Sequence, residues 1–93
     1  MKLTIVKNEV TRECTGTGTI IAGILASSKV KAITKCFEEV YGLRVELKND
    51  GWEEFLVRRV LVKLFGTESN LRRLDADMKS GKIEAIIKGM ERA

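Results

Sequence analysis

The chain has 93 residues, 17 Lys plus Arg against 13 Asp plus Glu for a net charge of +4, two Cys, and neither His nor Pro. With 44% hydrophobic and 32% charged residues, it is too apolar for a disordered chain, and its length points to a single compact domain over 1–93, near the lower limit for a core without staples. The lack of histidine excludes Ser-His-Asp and Cys-His nucleophilic catalysis and the His-containing zinc sites.

Lys2 to Thr15 is rich in Thr, Val and Ile and is interrupted at Asn8-Glu9, which predicts a hairpin with strands near 3–7 and 10–15. Thr15-Gly16-Thr17-Gly18-Thr19 then reads as a break. From Ile20, the residues Ile20, Ile21, Ile24 and Leu25 form one helical stripe. Val30, Ile33, Phe37, Val40 and Tyr41 form a second, nearly opposite one, so a break is expected at Ala26-Ser27-Ser28. Ser28 is the candidate N-cap of the second helix, and Gly42 its C′ residue.

Leu43, Val45 and Leu47 alternate with Arg44, Glu46 and Lys48, the period of a half-buried strand, which Asn49-Asp50-Gly51 is expected to close. Asp50-Gly51-Trp52-Glu53 has capping-box spacing and favours a helix from Trp52 to Phe65, stopped by Gly66. A strand stays open there because Val57, Val60, Leu61 and Val62 are dense and largely β-branched. Thr67-Glu68-Ser69 supplies a turn and an N-cap for a helix through Leu71, Leu74 and Met78, stopped by Ser80-Gly81. A last helix carries Ile83, Ile86, Ile87 and Met90.

Cys14 and Cys36 are separated by 21 intervening residues with no second pair, so no CxxC motif forms and free thiols in a reducing cytosol are expected. Lys7 interrupts the N-terminal apolar stretch before it reaches secretory-signal length, and the Ile20–Ala26 run is too short to cross a bilayer. A cytoplasmic protein without membrane contact is expected. Residues 1–54 hold 8 basic and 8 acidic side chains, whereas 55–93 hold 9 and 5. The densest section contains Arg58, Arg59, Lys63, Arg72 and Arg73 against Glu68, a local excess suited to an anionic partner.

Three other patterns carry less. Gly16-Thr17-Gly18 lacks the further glycine of the dinucleotide fingerprint, because position 21 is Ile, and no Walker sequence is present. Glu38-Glu39 and Glu53-Glu54 are adjacent pairs that diverge by about 100° in a helix, so neither forms an acid/base dyad. The aromatics Phe37, Tyr41, Trp52, Phe55 and Phe65 fall on apolar stripes and read as core, with Tyr41 and Trp52 the candidates for partial exposure.

Phe65-Gly66-Thr67-Glu68-Ser69-Asn70-Leu71-Arg72-Arg73-Leu74 joins an apolar segment, a glycine turn and a helix start with two arginines. It resembles the turn and recognition helix of winged-helix and related helix-turn-helix repressors, over about 20 residues and with a loose motif. It departs from them in placing Leu71 five residues after Gly66, where that family usually has six. The resemblance implies DNA contacts from Arg72 and Arg73, with Ser69 and Asn70 near phosphates and Lys79 and Lys82 flanking the backbone. The Ser80-Gly81-Lys82-Ile83 step is also similar to one in periplasmic solute-binding proteins, where it leads into a strand. Those proteins are far longer and exported, so the match is read only as a warning that Ile83–Ile87 could be extended.

The expected fold is α+β, an N-terminal β-hairpin and one further strand packed against three or four helices. The expected function is a small basic non-enzymatic nucleic-acid-binding protein, helix-turn-helix-like in its C-terminal half, with DNA ahead of RNA as partner and no cofactor. Its site residues are Arg58, Arg59, Lys63, Ser69, Asn70, Arg72, Arg73, Lys79 and Lys82. The alternative is a protein-interaction module, either a homodimer or an inhibitor or adaptor. It would meet a larger protein through the Ile83, Ile86, Ile87, Met90 stripe or the Trp52 helix, whereas an acidic protein surface is the other anionic partner open to the basic residues.

Overall fold

The computed structural model describes residues 2–23 and 27–91. In chain order the elements are β1 (Thr4–Lys7), β2 (Cys14–Gly23), α1 (Ser27–Glu39), β3 (Arg44–Glu54), β4 (Val57–Gly66), α2 (Glu68–Ser80) and α3 (Lys82–Glu91). The protein is α+β, with four strands in one antiparallel sheet of order β1-β2-β4-β3. Because β2 and β3 both run antiparallel to β4, they are parallel to each other, and α1 is the crossover between them.

The hairpin forms where Asn8 and Glu13 close it, the Asn8 amide donating to the Glu13 carbonyl at 2.8 Å. Its second strand, however, begins at Cys14 and runs on to Gly23, through the Thr-Gly segment that reads as a break and through Ile20 and Ile21, which read as helix. Ile24, Leu25 and Ala26 lie outside the described residues. The reason is close packing. A Cβ on Gly16 would stand 3.0 Å from Leu71 Cδ2 of α2 and 3.1 Å from Leu3 Cδ1, so this glycine marks where a helix rests on the sheet. The threonines between the glycines take the other side of the strand.

The segment from Trp52 to Phe65 is not a helix. β3 continues past Asn49-Asp50-Gly51 to Glu54, with the register shifting between Asn49 and Trp52, and Phe55-Leu56 turns the chain into β4. Gly51 absorbs part of that irregularity at φ +94. Val60, Val62 and Leu64 are buried while Leu61, Lys63 and Phe65 between them are not, and this period of two, with its β-branched residues, wins over the capping box. Trp52 and Phe55 accordingly leave the core, at 58% and 88% exposure.

The three helices cover one side of the sheet, and α3 packs against both α1 and α2. α1 ends as its glycine predicts: Gly42 sits at φ +63, its amide donates to the Glu38 carbonyl, and the Leu43 amide reaches the Phe37 carbonyl at 3.1 Å. Thr67 caps α2, its Oγ1 accepting from the Asn70 amide at 3.1 Å, so Ser69 lies inside the helix. Gly81, at φ +81, turns α2 into α3, and Ile83–Ile87 is helical. Phe37, Tyr41, Leu64, Leu71 and Leu74 fill the core with Cys14 and Cys36, both free thiols. Ile83 and Ile87 are buried there too, and Ile86 and Met90 pack against it, so the α3 stripe is spent inward. Among the described residues no helix is long and apolar enough to cross a membrane.

Candidate functional site

Strand alternation sorts the sheet into two faces. The face toward the helices carries Cys14, Gly16, Val60, Val62 and Leu64, all buried. The opposite face, read through the register, carries Thr4 and Val6 of β1 and Thr15, Thr17, Thr19 and Ile21 of β2. From β4 and β3 come Arg59, Leu61, Lys63 and Phe65, then Arg44, Glu46 and Lys48. None of these residues is buried. Among the described residues this face carries no buried side chain of the kind that marks the helix-covered one.

This helix-free face is basic. Lys2, in line with Thr4, joins Arg44, Lys48, Arg59 and Lys63, against Glu46 and against Glu53, whose Oε2 lies 3.2 Å from Arg59 Nε. That last contact is an ion pair without hydrogen-bond alignment. The Arg44 guanidinium rests 4.2 Å over the Phe65 ring, and its Nη1 donates to Glu46 Oε1 at 3.0 Å. Among the described residues Lys48 and Lys63 make no ion pair. A shallow depression of about 310 Å³ opens on the same face, lined by Lys2, Thr4, Thr17, Gly18, Thr19 and Leu61.

The residues expected to form one site are split between surfaces. Arg59 and Lys63 lie on the helix-free face, whereas Arg58 pairs with Trp52 on the other side of the sheet, its Nε buried with no hydrogen-bond partner among the described residues. Arg72 pairs with Glu68 at 3.2 Å and Lys79 with Asp75 at 3.0 Å, both within α2. Arg73 donates to the Val40 carbonyl and lies over the Tyr41 ring, fastening α2 to the end of α1. Ser69 sits exposed in the first turn of α2, the Asn70 amide is used by the Thr67 cap, and Lys82 is exposed at the start of α3.

The helix-turn-helix layout around Gly66 is therefore not formed, since a strand and not a helix precedes α2. The sequence reading missed Lys2, Arg44, Lys48 and Phe65. The signal for two of them was present in the Arg44-Glu46-Lys48 alternation, which defines a polar strand face.

Among the described residues no group of three His, Cys, Asp or Glu side chains is placed to hold a metal ion. One perturbed pair lies away from the face. Tyr41 is 1% exposed and its hydroxyl donates to Asp77 Oδ2 at 2.6 Å. Burial, and then that bond, push the phenol well above its ordinary range. Compared with family models, with curated proteins and with solved structures, the chain matches none.

Proposed function

We propose that this chain is a non-enzymatic nucleic-acid-binding protein whose contact surface is the helix-free face of its sheet. The observation that carries the reading is the excess charge of that face: Lys2, Arg44, Lys48, Arg59 and Lys63 stand against Glu46 and Glu53 on one side of a sheet whose other side is covered, and Lys2, Lys48 and Lys63 make no ion pair among the described residues. Cations gathered on an open surface release condensed counterions when they meet a phosphate backbone, which drives association at low salt. The threonine rows beside them add hydroxyl donors suited to phosphate and sugar oxygens. Arg72, Arg73 and Lys79 are engaged within the helical layer and lie outside this surface.

The test is fluorescence-anisotropy titration of labelled oligonucleotides from low to physiological salt. The double variant Lys48→Glu, Lys63→Glu is expected to lower affinity at least tenfold and to flatten the log-log salt slope by about 1.4 for a single strand. Lys79→Glu, Lys82→Glu on the helical layer is expected to leave both unchanged. No binding at low salt, or a loss confined to the helical-layer variant, overturns the assignment.

A second reading, a protein-interaction module or homodimer, has its own observation: Trp52, Phe55 and Leu56 are exposed together around the β3–β4 turn. A dimer by light scattering that Trp52→Ala and Phe55→Ser convert to monomer, with no oligonucleotide binding, favours it.

A further inference from the structure

Resting on the nucleic-acid reading above, we infer that the helix-free face takes single strands in preference to duplexes, with an unpaired base stacked on the Arg44 guanidinium over Phe65. The stack is half built already. The guanidinium lies 4.2 Å over the ring, and Glu46 Oε1, 3.0 Å from Nη1, holds it by one edge. The Arg44 side chain is 67% exposed, which leaves its outer side open to a third planar group. Because Glu46 already compensates the charge of Arg44, what this residue offers a ligand is chiefly a plane. The charge for phosphates comes from its neighbours.

Those neighbours are set by the register. Lys63 stands opposite Glu46, one pleat from Phe65 on the same face, and Lys48 stands one pleat beyond Glu46. Same-face residues on a strand are about 6.6 Å apart, so both ammonium groups lie within reach of phosphates flanking a base on Arg44. The Lys2, Thr4, Thr17, Thr19 depression lies on the β1 and β2 side of β4, the strand that carries Phe65, with hydroxyl and ammonium donors for an adjoining nucleotide. A duplex keeps its base faces covered by neighbouring pairs and would use the lysines alone, whereas an unpaired strand uses lysines and stack together.

The experiment compares one oligonucleotide sequence as single-stranded RNA, single-stranded DNA and duplex DNA, against the full chain and its variants, each checked for an unchanged far-ultraviolet spectrum. The wild type is expected to bind either single strand at least tenfold more tightly than duplex. Arg44→Ala is expected to lower single-strand affinity about tenfold, within the range of a lost base stack, and to leave duplex affinity within twofold. Arg44→Lys keeps the charge and loses the plane, so it is expected to fall with Arg44→Ala, whereas Lys63→Ala weakens single strand and duplex alike. A 2-aminopurine in the single strand is expected to be quenched by the wild type and not by Arg44→Ala or Phe65→Leu. Equal or tighter duplex binding, or full single-strand affinity in Arg44→Lys, overturns the stacking inference and leaves the nucleic-acid reading intact. Failure of every oligonucleotide to bind at low salt overturns both.

Discussion

Arg73 Nη2 donates to the carbonyl of Val40 at 2.6 Å, 33 residues away in sequence, and so closes the C-terminal end of α1 from a neighbouring helix. The same guanidinium lies 4.8 Å from the centre of the Tyr41 ring. A charge-assisted bond to a carbonyl near a helix end combined with a cation–π contact is a packing role, and it takes Arg73 out of the set of groups available to a ligand.

Arg73→Ala is therefore expected to destabilise the fold by about 1–2 kcal/mol, read as a drop in melting temperature of roughly 4–8 °C per kcal/mol in a domain this size. Arg72→Ala, which loses an exposed i,i+4 pair with Glu68, is expected to stay within about 0.5 kcal/mol of the wild type. Thermal melts followed by circular dichroism separate the two, and equal effects would refute the packing role.

Tyr41 predicts an alkaline limit to stability. Its proton is held more tightly in the folded chain than in the unfolded one, where the phenol has its ordinary value of 10.0. The resulting stabilisation is complete below pH 10 and is lost as pH rises above it. Burial raises the Cys36 thiol as well, so its contribution has the same sign and begins to fall near its ordinary value of 9.0. Tyr41→Phe is expected to cost about 1–2 kcal/mol at neutral pH through the lost bond to Asp77. It should also flatten the decline in melting temperature between pH 9 and 11, and an unchanged decline would show that the phenol does not set it.

The β3–β4 turn holds Leu56 at φ +61, in the left-handed region that a side chain with a Cβ enters at a cost of about 1 kcal/mol. Leu56 is 49% exposed, so little burial is lost on replacing it. Leu56→Gly is expected to raise stability by a few tenths to about 1 kcal/mol, the released strain being partly offset by the greater freedom of glycine in the unfolded chain. A denaturant midpoint that falls in this variant would mean that Leu56 makes contacts outweighing its strain.

How much of this was legible in the sequence follows from the range of the forces involved. α1 from Ser28 onward, its stop at Gly42, the first half of β3, α2 with its stop at Gly81, and α3 all follow from local periodicity and from glycines whose φ is positive. The excess of basic residues was legible too, but not its distribution. Arg58 and Arg59 are neighbours in sequence and point to opposite sides of β4, and Arg72 and Arg73 are bound up in the helical layer.

What the chain alone determined was its composition, its net charge and those elements whose signals lie within a turn or two of one another. Tertiary structure decided that Cys14–Gly23 and Val57–Gly66 are the two central strands. A glycine facing a helix 55 residues away in sequence and a glycine in a turn look alike until Leu71 is in place. It also decided which basic residues share a surface, because in a pleated sheet one step of register moves a side chain from the covered face to the open one.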